Sequence, residues 1–191
     1  MFKCLALAAP AAFVMSSSVS AHSIPIGREG PLAAIVRPVP GAKACFKHAY
    51  DAAHLRRHPD QKVTSMVFRL RYYKHPGDKQ DPQGQRFYYF NLGARVKGWP
   101  RFLRAAGECN PDGTGIRCRV DCDGGGVNIR FNPSNDTLLV GFNKLIPRLR
   151  MTESCADDER APLYELEPGQ DDRSFQLTRA DSAMCRVFGP E

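Results

Sequence analysis

Residues 109–132 read CNPDGTGIRCRVDCDGGGVNIRFN and carry three of the seven cysteines of the chain. Residues 110–115 combine Pro, Asp and Gly, which favour a tight turn. Apolar and polar residues alternate after this turn and again after the glycines at 124–126. A period of two indicates strands with one buried and one wet face. The stretch therefore predicts antiparallel strands that are joined by disulfides.

The same period of two continues on both sides of this stretch. Apolar residues alternate with polar ones within residues 63–72, 90–96, 102–109, 138–142 and 175–177. Turn signals separate such segments by about 8–12 residues, which is typical of sandwiches and barrels. The sequence therefore predicts a mainly β fold, an antiparallel β-sandwich or barrel that is stabilised by disulfides.

Residues 42–58 show a different pattern. Ala, Leu, Lys and Arg are frequent there and favour helix. Four residues follow the i, i+3, i+4, i+7 spacing of a helix face: Phe46, Ala49, Tyr50 and Ala53. Pro59 would end the segment. We therefore expect one N-terminal helix over residues 42–58.

The first 21 residues read as a secretory signal peptide. Lys3 precedes an apolar run over residues 4–14, and small residues at 19 and 21 fit a cleavage site after Ala21. The run is shorter than the roughly 20 residues that span a bilayer. We expect a periplasmic or secreted protein without a transmembrane segment. In the mature protein, residues 22–42 would form an extended Pro/Gly-rich arm. Residues 43–191 would form a single β-rich domain with one N-terminal helix.

Signal cleavage leaves six cysteines, and an even number in an exported chain indicates disulfides rather than a metal site. They are Cys45, Cys109, Cys118, Cys122, Cys155 and Cys185. The turn at residues 110–115 would place Cys109 opposite Cys118, which predicts a disulfide between them. Cys118 and Cys122 would lie about 13 Å apart on one strand, too far to pair with each other. We therefore expect Cys122 to pair with a distant cysteine, Cys155 or Cys185.

The charge of the chain is unevenly distributed. Residues 22–150 hold 22 basic and 10 acidic side chains, a net of +12, whereas residues 151–191 hold 4 and 10, a net of −6. Arginines would occupy the outer faces of several strands, where guanidinium groups can bind carboxylate, sulfate or phosphate. The alternative is a solvated face that pairs with the acidic C-terminal part. The candidate binding residues are Arg69, Arg71, Arg117, Arg119, Arg130, Arg148 and Arg150.

Two short motifs raise the question of a metal site. Signal cleavage makes His22 the N-terminal residue, whose amine and imidazole can chelate copper. Asp121 and Asp123 begin a D-x-D-G segment that resembles part of an EF-hand calcium loop, but its later ligands are missing and a glycine turn is the competing interpretation. His54 and His58 have an i, i+4 spacing suited to zinc, although interaction with a helix C-terminus is the commoner role. We predict no cofactor and no metal, with His22, Asp121 and Asp123 as the candidates if one binds.

No sequence motif specifies a reaction. The chain has no G-x-S-x-G elbow, P-loop, H-E-x-x-H or dinucleotide fingerprint, so we expect a protein without catalytic activity. The open alternative is an enzyme that uses a carboxylate pair such as Asp171 and Asp172, because such pairs leave little trace in a sequence. The aromatic residues at 87–90 and Trp99 would serve either the core or a carbohydrate platform. We expect a binding or envelope-associated protein whose partner is an anionic envelope polysaccharide, lipid head groups or an acidic protein, and not a nucleic acid. The alternative is an exported copper- or calcium-binding protein, or a carbohydrate-active enzyme without a recognisable motif.

Overall fold

The structure is a computed structural model, and it describes residues 23–79, 81–120, 124–142, 147–152 and 163–189. The strands are β1 (Lys43–Ala49), β2 (Val63–Lys74), β3 (Arg86–Val96), β4 (Leu103–Asp112), β5 (Gly115–Arg119), β6 (Gly126–Asn132), β7 (Thr137–Phe142), β8 (Leu149–Thr152), β9 (Leu163–Leu166) and β10 (Ser174–Ala180). The helices are α1 (Leu32–Ile35), α2 (Ala52–Arg57) and a 3-10 helix (Ser182–Phe188). No helix among these described residues is long and apolar enough to cross a membrane.

Eight of the strands close into a barrel, which decides between the two predicted architectures. Each strand from β1 to β6 pairs with the next one along the chain, and β10 pairs with both β7 and β1. At the β1–β10 seam, Cys45 lies opposite Ala180 and Lys47 lies opposite Thr178. The result is an up-and-down antiparallel barrel. Such a barrel has an interior just wide enough for side chains to fill.

Alternate residues of the barrel strands point inward and fill the interior. Phe68 and Phe90 stack there, with 5.8 Å between their ring centroids. Burying this apolar face drives the closure, and it explains the period of two in the sequence. The interior side chains with at most 2% exposure include Phe46, Phe68, Leu70, Tyr88, Phe90, Leu92, Ile116, Ile129, Val140, Phe175 and Leu177.

The N-terminal arm covers one end of the barrel, which we call the arm end. The sequence predicts an extended arm, but within the arm α1 forms one helical turn. This turn inserts Leu32 and Ile35 into the core, where both are buried. The Tyr88 hydroxyl donates a hydrogen bond to the Val36 carbonyl oxygen at 3.0 Å. Burial of these apolar side chains stabilises the turn despite the surrounding prolines and glycines.

The predicted helix over residues 42–58 is wrong in its first half, which forms β1, whereas α2 occupies part of the second half. Phe46 faces the interior, and Cys45 faces outward beneath the C-terminal 3-10 helix, so both sides of β1 are buried here. Pairing with β2 and β10 overrides the local helix propensity. The Asp51 side chain then caps α2 by accepting a hydrogen bond from the His54 N–H at 2.7 Å.

The opposite end of the barrel, which we call the base, is covered by the β8–β9 hairpin. The strand β5 ends at Arg119, and β8 pairs with β4 nearer the base, where Thr152 lies opposite Arg104. The hairpin contributes three side chains with at most 2% exposure to the core: Leu149, Met151 and Leu166. Apolar side chains therefore cover the interior at both ends.

The C-terminal 3-10 helix packs on the outside of β1 and β2. Phe188 contacts Phe102, with ring centroids 6.3 Å apart, and the two belong to a small apolar cluster outside the barrel. Gly93 lies beneath this cluster, where a Cβ atom would collide with the Phe102 ring. The missing side chain at position 93 lets the cluster approach the wall closely.

One predicted disulfide is confirmed. Cys109 and Cys118 lie opposite each other on β4 and β5 and are bonded, with 4.0 Å between their Cα atoms. Both side chains point into the barrel and are at most 1% exposed. The turn that folds β4 back onto β5 therefore also sets this pairing, as the sequence predicts.

The second described disulfide joins Cys45 to Cys185. The predicted alternative of Cys185 as the partner of Cys122 is therefore wrong, because the C-terminal helix folds back onto the first barrel strand. The predicted pairing of Cys122 with Cys155 lies outside the described residues.

Candidate functional site

The seven candidate arginines all lie on outward positions, but they do not form one continuous face. Their inward neighbours along each strand are buried, which fixes the outward direction. They are distributed over four strands: Arg69 and Arg71 on β2, Arg117 and Arg119 on β5, Arg130 on β6, and Arg150 on β8, with Arg148 just before β8 begins.

Arg69 is covered by protein. Its side chain is 6% exposed, and its Nε and Nη2 atoms donate hydrogen bonds to Asn91 Oδ1 at 3.0 and 2.8 Å. Its guanidinium carbon lies 5.3 Å from the centre of the Phe188 ring. Arg69 therefore helps to hold the 3-10 helix on the wall and is not available to a partner.

Arg71 lies two residues further along β2, toward the arm end. It is opposite Lys43 on β1 and Tyr89 on β3. The same line of register continues to Glu108 on β4 and Arg119 on β5. We call these five residues the basic row. Neighbouring strands are about 4.8 Å apart, so the row extends about 19 Å around the barrel.

The Arg71 guanidinium contacts an aromatic ring rather than a carboxylate. Its central carbon lies 5.5 Å from the centre of the Tyr89 ring. Its Nε atom is buried and has no hydrogen-bond partner. Among the described residues, no acidic side chain forms an ion pair with Arg71. The positive charge of this residue is therefore not compensated locally.

Four aromatic side chains lie beside Arg71 on the outer wall, and we call them the aromatic shelf: Tyr73, His75, Phe87 and Tyr89. Ring centroids are 6.0 Å apart for Tyr73 and Tyr89, and 5.7 Å apart for Phe87 and Tyr89. His75 contacts both Tyr73 at 4.5 Å and Phe87 at 5.4 Å. Tyr73 is 39% exposed whereas Phe87 is 3% exposed, so Phe87 supports the others from beneath.

The sequence contains a signal for this shelf, which is the alternation of inward and outward positions along β2 and β3. The sequence prediction instead treats the aromatic residues 87–90 as one group. In both Tyr72-Tyr73 and Tyr88-Tyr89, the first ring points inward and the second outward. Strict alternation along β2 and β3 could have separated core rings from surface rings. Trp99 is not part of the shelf, because it is half-buried at the base against Tyr164, with ring centroids 5.3 Å apart.

A second basic group lies on β5 and β6. Arg117 forms an ion pair with Asp112 at 2.7 Å, and Arg119 is exposed. Arg130 lines a shallow depression of about 240 Å³ together with Leu139. The Nε atom of Arg117 and the neighbouring Asn128 Oδ1 are buried without hydrogen-bond partners. This group is therefore partly neutralised and carries no aromatic shelf.

The two arginines at β8 differ from each other. Arg150 Nε donates to Glu165 Oε1 of β9 at 3.1 Å, so the acidic C-terminal part neutralises it. The Arg148 backbone carbonyl accepts a hydrogen bond from the Gly126 N–H at 3.0 Å, and its Nε atom is buried without a partner. Arg150 therefore agrees with the alternative prediction, in which solvated arginines pair with the acidic C-terminal part.

The histidines at the base form a ladder of rings rather than a chelate. The rings follow the order His48, Tyr50, His54 and His58, with centroids 4.4, 4.7 and 4.4 Å apart. His58 Nδ1 lies 3.4 Å from Asp171 Oδ1. Within the described ranges, no three His, Cys, Asp or Glu side chains are arranged to hold a metal ion.

Hydrogen bonds fix the polar groups beside this ladder. The Gln61 amide nitrogen donates to the Val63 carbonyl at 2.8 Å, so its oxygen accepts from His54 Nε2 at 2.8 Å. Burial, and then the charge of Asp172, raise the pKa of the Tyr50 hydroxyl, whereas Gln61 lowers it. The arrangement joins the β1–β2 connection to the base.

Asp171 and Asp172 do not converge on a common cleft. Asp172 is fully buried and accepts hydrogen bonds from the N–H groups of Lys62 at 2.6 Å and Val63 at 3.3 Å. Burial raises its pKa, and these two hydrogen bonds act in the opposite direction. Its role is to anchor the start of β2, whereas Asp171 contacts a histidine of the ladder.

The three metal candidates His22, Asp121 and Asp123 lie outside the described residues. The site that the described residues do form is the part of the outer wall where the basic row meets the aromatic shelf. Comparison of the chain with protein-family models, curated proteins and solved structures finds no match.

Proposed function

We propose that this chain is an exported binding protein without catalytic activity, and that it holds an anionic partner on the outer wall of its barrel. One observation carries the proposal: Arg71 lies on an aromatic shelf, with Lys43 beside it and no acidic partner of its own among the described residues. A guanidinium in this position can donate paired hydrogen bonds to a carboxylate, sulfate or phosphate.

The packed interior supports an outer site rather than an inner one. Barrels of this size either fill with side chains or hold one small ligand. Here rings such as Phe46, Phe68, Phe90 and Phe175 occupy the interior and are at most 2% exposed. Side chains from α1 and from the β8–β9 hairpin cover the two ends. A ligand inside the barrel would have to displace this core.

The distribution of charge supports an anionic partner. The acidic C-terminal part does neutralise some cations, since Glu165 pairs with Arg150 and Asp171 contacts His58. Neither contact reaches Arg71. The positive charge of Arg71 is therefore available for a partner, in keeping with the net of +12 in residues 22–150.

Retention on a sulfated resin across a salt series tests the proposal. The double variant Lys43→Gln/Arg71→Gln should bind about 3- to 10-fold more weakly than the natural chain, because it removes two positive charges from the proposed binding surface. The control Arg95→Gln/Arg173→Gln removes the same charge from two exposed positions away from the shelf. Equal weakening in both double variants, or retention that does not change with salt, would contradict a localised anionic site.

The exported location is the other half of the proposal. Two buried disulfides support it, because such bonds persist in oxidising compartments. Sequencing the N-terminus of protein recovered from the periplasm or the medium should give His22 as the first residue. Recovery of the protein only inside the cell, with residues 1–21 still attached, would reject export.

A further inference from the structure

We infer that the anionic partner is an acidic polysaccharide. Its sugar rings would rest on Tyr73 and Tyr89, and its carboxylate or sulfate groups would contact Arg71 and Lys43. The inference rests on the proposed function and adds the chemical class of the partner. It requires the partner's sugar rings to contact the aromatic shelf, whereas the proposed function requires only that the partner's anionic groups contact the cations.

The shelf exposes rings that the core does not need. On β2 and β3 the inward rings, Tyr72 and Tyr88, already pack with centroids 5.3 Å apart. The outward rings of Tyr73 and Tyr89 form a second aromatic pair on the other side of the same strands. Tyrosine combines a flat apolar face with a polar hydroxyl, and this suits a sugar ring with its C–H face and its hydroxyl groups.

The shelf is held in place before any partner binds. Phe87 is 3% exposed and contacts Tyr89, while His75 contacts both Tyr73 and Phe87. The strands beneath it, β2 and β3, pair without interruption from Ser65 to Lys74 of β2. A rigid aromatic surface loses little conformational entropy on binding, which favours affinity for a flexible chain.

The arrangement of charges favours a polysaccharide over a lipid surface. Glu108 lies in the basic row between Tyr89 and Arg119. A continuous anionic surface would meet this carboxylate, whereas a chain with charges at intervals can place a neutral part of a sugar there. Of the large apolar side chains exposed on the described residues, only Tyr73 belongs to the shelf, so aliphatic groups that could enter a bilayer are missing from it.

The length of the row suits a short segment of a linear polymer. From Lys43 to Arg119 the row extends about 19 Å, perpendicular to the strands. Cations near both ends and a ring pair near the middle would contact several successive sugar units. A peptide made of acidic residues alone, such as polyglutamate, could contact the cations but has no ring to place on Tyr73 and Tyr89.

Calorimetric titration with four probes tests the inference. The probes are an octamer of galacturonate, a neutral oligosaccharide of the same length, a polyglutamate peptide of the same charge, and phosphatidylglycerol vesicles. The galacturonate octamer should bind at least about tenfold more tightly than the other three, because it alone offers both sugar rings and spaced charges. Equal or tighter binding of the peptide or the vesicles would overturn the inference.

Variants of the shelf separate this inference from the proposed function. Tyr73→Ala and Tyr89→Ala should each weaken galacturonate binding about 3- to 10-fold, whereas Tyr73→Phe should stay within about twofold. Leu163→Ala, which removes another exposed apolar side chain at 50% exposure, is the control and should have no effect. Circular dichroism and urea midpoints would verify that each variant folds.

The outcomes of the two sets of variants differ. If Lys43→Gln/Arg71→Gln weakens binding while the tyrosine variants do not, the polysaccharide inference is wrong and the proposed function stands. If neither set differs from its controls, both are wrong. A loss in both sets, together with preference for the galacturonate octamer, supports both.

Discussion

Gly93 and Gly141 occupy equivalent outward positions on barrel strands, yet their surroundings differ. A Cβ atom at Gly93 would collide with the Phe102 ring and approach Phe188 to 2.9 Å, whereas at Gly141 its nearest neighbour is a carbonyl oxygen 4.0 Å away. Gly93→Ala should therefore lower the free energy of unfolding by about 1–3 kcal/mol through overpacking. Gly141→Ala should leave it unchanged or raise it slightly. Urea denaturation of both variants measures the difference, and equal effects would show that the cluster tolerates a methyl group.

Tyr88 should make the protein sensitive to alkali. Burial raises the pKa of its hydroxyl above the ordinary value of 10.0. Above pH 10 the unfolded chain therefore loses a proton that the folded chain keeps, and the free energy of unfolding falls as the pH rises. Denaturant titrations between pH 8 and 11 should give a smaller decline for Tyr88→Phe than for the natural chain.

Part of that decline should remain in the Tyr88→Phe variant. Burial also raises the pKa values of Tyr50, Tyr72 and Tyr164, which contribute in the same direction. Below pH 10 the variant should be less stable by about 1–2 kcal/mol, because the Val36 carbonyl oxygen loses its donor. Parallel curves for the two proteins across pH 8–11 would refute a buried, protonated Tyr88.

At the scale of elements, α1 shows how much a single turn can contribute. Leu32 is fully buried, whereas Ile26, in the same arm, is 71% exposed. Leu32→Ala should cost about 2–5 kcal/mol, because it leaves a cavity under the arm end. Ile26→Ala should change the stability by less than about 0.5 kcal/mol. If thermal unfolding moves equally in both, the arm does not close the barrel as described.

Most of the barrel strands could be predicted from the sequence, but β1 and the turn of α1 could not. Alternation reports a buried face directly, so β2 and β6 follow from residues such as Phe68 and Ile129. In β1 the period disappears, because Cys45 is buried outside the barrel and Phe46 inside it. Helix propensity then gave the wrong element there. The turn of α1 depends on apolar contacts with residues that are distant in the sequence, and no local sequence pattern predicts such contacts.

The two disulfides act on the whole molecule to different degrees. Cys45 and Cys185 are 140 residues apart in sequence, whereas Cys109 and Cys118 are 9 apart. In the chain-entropy model, these bonds stabilise the fold by about 5 and 2.6 kcal/mol. Replacing the first pair by alanines should therefore cost about 2 kcal/mol more than replacing the second. Urea denaturation of the two double variants provides the comparison, and a larger loss for the second pair would contradict the model.

The candidate site could be predicted only in part. Outward arginines follow from alternation, and Arg71 was among them. Which arginines stay available depends on partners far away in the sequence: Phe188 covers Arg69, and Glu165 neutralises Arg150. The aromatic shelf depends on the register that places Tyr73 beside Tyr89. Such register is set by strand pairing and cannot be deduced from one strand alone.

The seam between β1 and β10 also has a consequence for how the protein is made. Because synthesis begins at the N-terminus, β1 is made long before β10. Until β10 is made, one edge of β1 has no partner strand. An open strand edge is a template for pairing with other chains. Closing so long a loop is slow, because its entropy cost comes before its contacts. Synthesis and final folding are therefore separated in time, and a newly made chain needs protection from its neighbours until its last strand arrives.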